Sequence, residues 1–157
     1  MAGARGLLAT LEFLPGLSIG NLSTALEAVR HVAMPNFRLL LDAMHVFRTG
    51  ASAAEIAALD PNMIGYVQLC DVPLISRFPD YSEEARHYRL APGQGELPLL
   101  DFLAAIPTSC IVGLEVPMLA QAQAGIGPAE RLAGSIQVTR DLLARAQERR
   151  TDSTQRA

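Results

Sequence analysis

Residues 39–45 read LLLDAMH, an apolar run that ends in an acid, Asp42, and an imidazole, His45, three residues later. A short continuous apolar run fits a strand buried on both faces, as in a parallel sheet. Its ending has two readings. Asp opens turns well, so an ordinary strand end accounts for it. Alternatively, the acid and the imidazole belong to a metal or acid–base site at the carboxyl edge of a parallel sheet, where such folds place ligands. The other strands of the chain bear on that choice.

Outward from this stretch, apolar runs alternate with helical patterns. GLLATLEFL (6–14) reads as a first strand, FRLLLDAMHVF (37–47) as the second, MIGYVQLCDV (63–72) as the third and SCIVGLEV (109–116) as the fourth. Between them, residues 21–33 place Leu22, Ala25, Leu26, Val29 and Val32 at helical spacing behind Asn21, a good N-cap. Ser52 and Glu55 have the spacing of a capping box for a helix over 52–59. Residues 96–106 and 128–150 read as further helices, 73–95 as a long polar loop, and 149–157 as a solvated, disordered tail after a domain over 1–148. The order β-α-β-α-β-α-β-α, with nearly continuous apolar strands, predicts an α/β fold with a parallel sheet covered by helices.

Side chains alternate across a strand, so the faces can be counted. Thr10 and Glu12 share one face of the first strand, Leu40 and Asp42 one face of the second, Tyr66 and Gln68 one face of the third, and Gly113 and Glu115 one face of the fourth. Each opposite face is aliphatic. Four oxygen-bearing side chains therefore end four strands in matching register, and three of them are carboxylates. Gathering buried carboxylates is costly unless a cation compensates. Oxygen donors favour a hard divalent ion such as Mn²⁺ or Mg²⁺. His45 lies beyond the strand end, within reach of a substrate or of the metal.

The composition narrows the function classes. The 157 residues are half hydrophobic, which excludes disorder, and the formal net charge is −3. No basic stripe of the kind nucleic-acid binding needs is present, and no apolar run approaches the length of a membrane span. Cys70 and Cys110 sit in apolar runs without metal-ligand spacing and read as reduced core thiols. Glu12 interrupts the only stretch resembling a signal peptide. A soluble, cytoplasmic protein is the expectation, with neither nucleic acid nor membrane as partner.

Five segments together resemble a known family: LEF with Glu12, DAMH with Asp42 and His45, VQLCD with Gln68, RLAPGQGELPL with Arg89, and LEVP with Glu115. Over about residues 7–145 they look like the C-terminal half of the xylose isomerase-like TIM barrels, the sugar phosphate isomerases and epimerases. The resemblance implies a (β/α)4 half-barrel whose Glu12, Asp42, Gln68 and Glu115 bind one divalent metal. Glu12 and Glu115 would also be catalytic, moving protons, while His45 and Arg89 would contact the substrate. It implies an isomerase or epimerase acting on a small sugar, polyol or keto acid through an enediolate. A dehydratase of the inosose or dehydroshikimate type shares the first step, and a fragment that keeps the fold without turnover is the rival reading. The related abasic-site endonucleases need many histidines, and this chain has three.

Two features depart from the family pattern. Gln68 stands where many members have a histidine ligand. A whole TIM barrel usually takes roughly 250 residues, and the elements here resemble strands five to eight. Self-association, or a missing N-terminal half, is therefore expected. Among the remaining residues, Asp71 reads equally as a strand-end residue or as a ligand contact, and Gly93 and Gly95 read as shaping a turn after Pro92. The bland role for Arg89 is a solvated loop arginine.

Overall fold

The computed structural model describes residues 2–155. Its elements are β1 (Ala9–Glu12), α1 (Leu22–Val32), β2 (Phe37–Asp42), α2 (Ala43–Arg48), α3 (Ala53–Ala57), β3 (Ile64–Leu69), α4 (Tyr81–His87), α5 (Leu99–Ala105), β4 (Ile111–Leu114), α6 (Leu119–Gln123) and α7 (Pro128–Gln155). The strands form one sheet in the order β1-β2-β3-β4, and the β1–β2 and β2–β3 pairs are parallel. The chain divides into two compact units, Met1–Gln68 with Ala105–Gly113, and Leu69–Ala104 with Leu114–Ala157.

In the first unit the apolar alternation buries one face of the sheet. Leu39, Leu41 and Val67 are fully buried, whereas Leu40 and Tyr66 on the other face are half-buried and Ile111 is 69% exposed. Helix α1 lies against β1 and β2, burying Leu22, Ala25 and Val29. Each such aliphatic side chain taken out of water contributes about 1.5–3 kcal/mol. The local caps are those the sequence predicts. Asn21 Oδ1 accepts from Thr24 N at 3.0 Å, and Ser52 Oγ accepts from Glu55 N while Glu55 Oε2 accepts from Ser52 N.

The second strand differs from its reading. It stops at Asp42, and residues 43–48 turn into a helix. Asp42 caps that helix by accepting the His45 amide at 3.1 Å, and Ala43, Met44 and Val46 are fully buried within it. An apolar run buried all round does not distinguish strand from helix by periodicity.

In the second unit, α4 and α6 occupy stretches that read as loop. Asp80 caps α4 through the Ser82 amide. The expected disordered tail over 149–157 is corrected over 149–155, because α7 continues to Gln155. Arg149 pairs with Asp101, and Arg150 donates to the carbonyls of Ala104 and Leu103. Side-chain partners for both arginines hold the last turns helical. The remainder of that tail, residues 156–157, lies outside the described residues.

Candidate functional site

The pairing register decides which strand-end side chains share a face. Glu12 is opposite Leu40, Leu40 is opposite Tyr66, and Asp42 is opposite Gln68. In a parallel ladder paired residues point to the same side, so Glu12, Asp42 and Gln68 lie on the half-buried face. His45 joins them from the first turn of α2. Its Nε2 is 3.4 Å from Glu12 Oε1, and its Nδ1 is 3.7 Å from Asp42 Oδ1. The cluster is mostly dry, with Asp42 and His45 buried and the Glu12 side chain 31% exposed.

Two carboxylates and an imidazole offer ligand atoms that all lie within 4.8 Å of one another. Among the described residues this is the group of His, Cys, Asp and Glu able to hold a metal ion. The donor chemistry suits a divalent cation, which takes carboxylate oxygen readily and imidazole nitrogen in addition. Gln68 strengthens the fit. Its Oε1 is buried without a hydrogen-bond partner, an arrangement that costs roughly 1–3 kcal/mol unless another group satisfies it. A cation near Asp42 is one such group. The structure thus draws His45, left by the sequence within reach of a substrate or of the metal and made a substrate contact by the resemblance, into the group of potential ligands.

The other two sequence-predicted residues lie in the second unit. Arg89 is buried rather than solvated, and its Nη1 donates to Glu115 Oε2 at 2.9 Å. Its Nε donates to the Ala85 carbonyl at 2.7 Å, and Nη1 is also 3.6 Å from Cys70 Sγ. Arg89 lines a cavity of about 180 Å³ with His87, Tyr88, Gln94, Met118 and Gln121. Glu115 follows directly on β4. Asp71, left open by the sequence, is a structural carboxylate: its two oxygens accept the amides of Val72, Gly93 and Leu97. Sequence reasoning missed this role because two of its three amide partners, Gly93 and Leu97, lie more than twenty residues downstream, and only Gly93 and Gly95 hinted at a tight return.

Parallel strands that bring two carboxylates and an imidazole together at one edge form an α/β site able to hold a cation. The sequence model of the family described as xylose isomerase-like TIM barrel matches residues 1–142, and the chain belongs to that family. Two similar curated proteins are 3-dehydroshikimate dehydratases, one from Pseudomonas aeruginosa, 35% identical over 109 residues, and one from Pseudomonas putida, 32% identical over 106 residues. These matches cover 69% and 67% of this chain but only 17% and 16% of the relatives, so the chain spans about a sixth of their length. Among solved structures, the IolI protein with a bound zinc atom superposes with a TM-score of 0.78 at 23% identity, over 92% of this chain and 52% of that one. A fusion of a xylose isomerase-like TIM barrel with a 4-hydroxyphenylpyruvate dioxygenase gives 0.64 at 30% identity, over 73% and 19%. The half-coverage of the IolI barrel fits the partial barrel seen here. Among the described residues no helix is long and apolar enough to cross a membrane.

Proposed function

We propose that this chain carries the metal-binding and proton-transfer residues of a dehydratase acting on 3-dehydroshikimate or a closely similar hydroxy ketone. The observation that carries the chemistry is the convergence of Glu12, Asp42 and His45 at the sheet edge. The names of the two relatives carry the substrate class. Glu12, Asp42, His45 and Gln68 would hold a divalent ion, Mn²⁺ or Mg²⁺ by the oxygen-rich donor set. When bound, such an ion acts as a Lewis acid on a substrate carbonyl.

The residues supply the proton movements. The Glu12 carboxylate accepts the proton from the carbon beside the carbonyl, the C–O bond to the β-hydroxyl breaks, and a C=C bond forms. The leaving oxygen takes up a proton and departs as water. Glu115, which the family resemblance makes the second proton-moving residue, would take that role. His45, whose backbone amide donates to Asp42 and whose Nε2 lies beside Glu12, would orient the base. Arg89 would bind an oxygen of the substrate.

An isomerase or epimerase, the leading expectation from sequence, shares the proton removal and differs in returning the proton to carbon. Membership of the xylose isomerase-like family favours that second reading. One experiment separates them. The protein is incubated with Mn²⁺ and 3-dehydroshikimate in D₂O, while ultraviolet absorbance follows the conjugated product and mass spectrometry follows deuterium in recovered substrate. Absorbance growth that is lost in Glu12→Gln is the expected result. Deuterium uptake without dehydration would favour the isomerase, and neither signal would overturn both.

A further inference from the structure

Asp71 is buried at 1% exposure, and the sequence attaches no reaction step to it. Its carboxylate is consumed by backbone donors. Oδ1 accepts from Val72 N at 2.9 Å and from Leu97 N at 3.1 Å, and Oδ2 accepts from Gly93 N at 2.9 Å. Its own backbone exchanges two hydrogen bonds with Leu90, at 2.9 and 2.8 Å, and Glu96 N donates to Val72 O at 3.0 Å. A single residue thus holds the return over residues 90–97 at its start through its backbone, and at its middle and end through its carboxylate.

That return accepts no bulk. Gly93 has φ +84°, which strains any side-chain-bearing residue. A Cβ at Gly95 would lie 2.6 Å from the Val72 amide nitrogen and carbonyl oxygen, and against Asp71 Oδ1. The residue next to this clasp is Arg89, whose guanidinium reaches the Ala85 carbonyl, the Glu115 carboxylate and the thiol of Cys70. Cys70 directly precedes Asp71. The register of 70–72 against 88–97 therefore fixes where the guanidinium sits.

We infer that Asp71 is a positioning residue for Arg89, clasping the 90–97 return so that the guanidinium stays on Glu115. Its functional meaning rests on the proposed role of Arg89 at the substrate; the clasp itself does not. Asn in place of Asp71 replaces one acceptor oxygen by an NH₂ donor, so at least one of the three amides faces another donor. Charge-assisted bonds of this kind are the stronger ones, and their loss frees the return.

The test needs no substrate. In protein labelled with ¹⁵N-arginine and ¹⁵N-leucine, the buried Arg89 Nε–H gives a slowly exchanging signal, assigned by its loss in Arg89→Lys. Asp71→Asn should accelerate its solvent exchange roughly tenfold or more, with the Leu41 amide in β2 unchanged. Gly95→Ala should give the same pattern by forcing the clasp open from the other side. Unchanged Arg89 exchange in a folded Asp71→Asn protein would overturn the inference. Equal acceleration at Leu41 would also overturn it, because Asp71 would then be a general stability residue. Mn²⁺ uptake is measured in the same samples, so failure of wild-type protein to bind the ion would count against the proposed function while exchange alone judges the clasp.

Discussion

The cluster of Glu12, Asp42 and His45 and the cluster of Asp71, Arg89 and Glu115 each hold an Asp, a Glu and one nitrogen-bearing side chain, but they are balanced differently. In the second, a guanidinium meets the Glu115 carboxylate at 2.9 Å, and three backbone amides meet the Asp71 carboxylate. In the first, two carboxylates lie close together with an imidazole as the neighbouring base. Carboxylates gathered in a mostly dry site are compensated by a cation. A cluster that balances its own charge organises backbone, and a cluster that gathers one sign of charge has use for an ion. The comparison predicts that metal should matter to one and not to the other.

The largest effect should follow from Asp42→Ala. At about a thousandfold excess of Mn²⁺ over its dissociation constant, mass action stabilises the wild-type protein by about 4 kcal/mol, and this increment should vanish in the variant. Because Asp42 also caps α2, the comparison is the melting shift with and without metal within each protein. An equal shift in both would break the contrast.

Arg89→Met should cost about 1.5–3 kcal/mol, the range for hydrogen bonds to charged groups, and should cost the same with and without Mn²⁺. A penalty that appears only in metal-loaded protein would move Arg89 from architecture to the ion. Next in size, the half-buried sheet face with its 69% exposed Ile111 leaves apolar surface and two sheet edges open. The isolated chain should self-associate in sedimentation at micromolar concentration or bind an apolar dye, and Ile111→Asn should reduce that signal. A dye-silent monomer would contradict it.

Smaller effects test the scaffold. Asn21→Ala removes the acceptor for Thr24 N and should lower stability by about 1 kcal/mol in chemical denaturation. Glu55 gives the smallest. Its hydrogen bonds from the Ser52 hydroxyl and amide hold its carboxyl below the ordinary range. A depressed folded pKa contributes stability above the unfolded value and loses it as pH falls through the folded one. Glu55→Gln should therefore flatten the acid limb of the stability–pH curve slightly and leave neutral pH nearly unchanged.

What the sequence revealed follows the range of the interactions. Strand alternation is local, so the shared face of Glu12, Asp42 and Gln68 could be counted residue by residue and agrees with the register. The caps at Asn21 and Ser52 are equally local. The switch from strand to helix at Ala43 was hidden because AMHVF is buried in either conformation, although Asp42 as an N-cap three residues before His45 was a usable signal. Helix α4 had a comparable signal in Asp80. The Asp71 clasp was not legible, since it depends on the chain returning at Gly93 and Leu97 to meet a carboxylate more than twenty residues earlier. For His45, sequence spacing gave proximity to Asp42, and only the fold set Nε2 beside Glu12.

The central claim, that the strand-end cluster binds a divalent ion, is most directly tested by anomalous X-ray diffraction at the manganese edge from crystals grown with Mn²⁺. The account predicts one anomalous peak within coordination distance of Glu12, Asp42 and His45, with the Gln68 amide oxygen turned toward it. A map with manganese elsewhere, or with no peak at this cluster at saturating Mn²⁺, would contradict it.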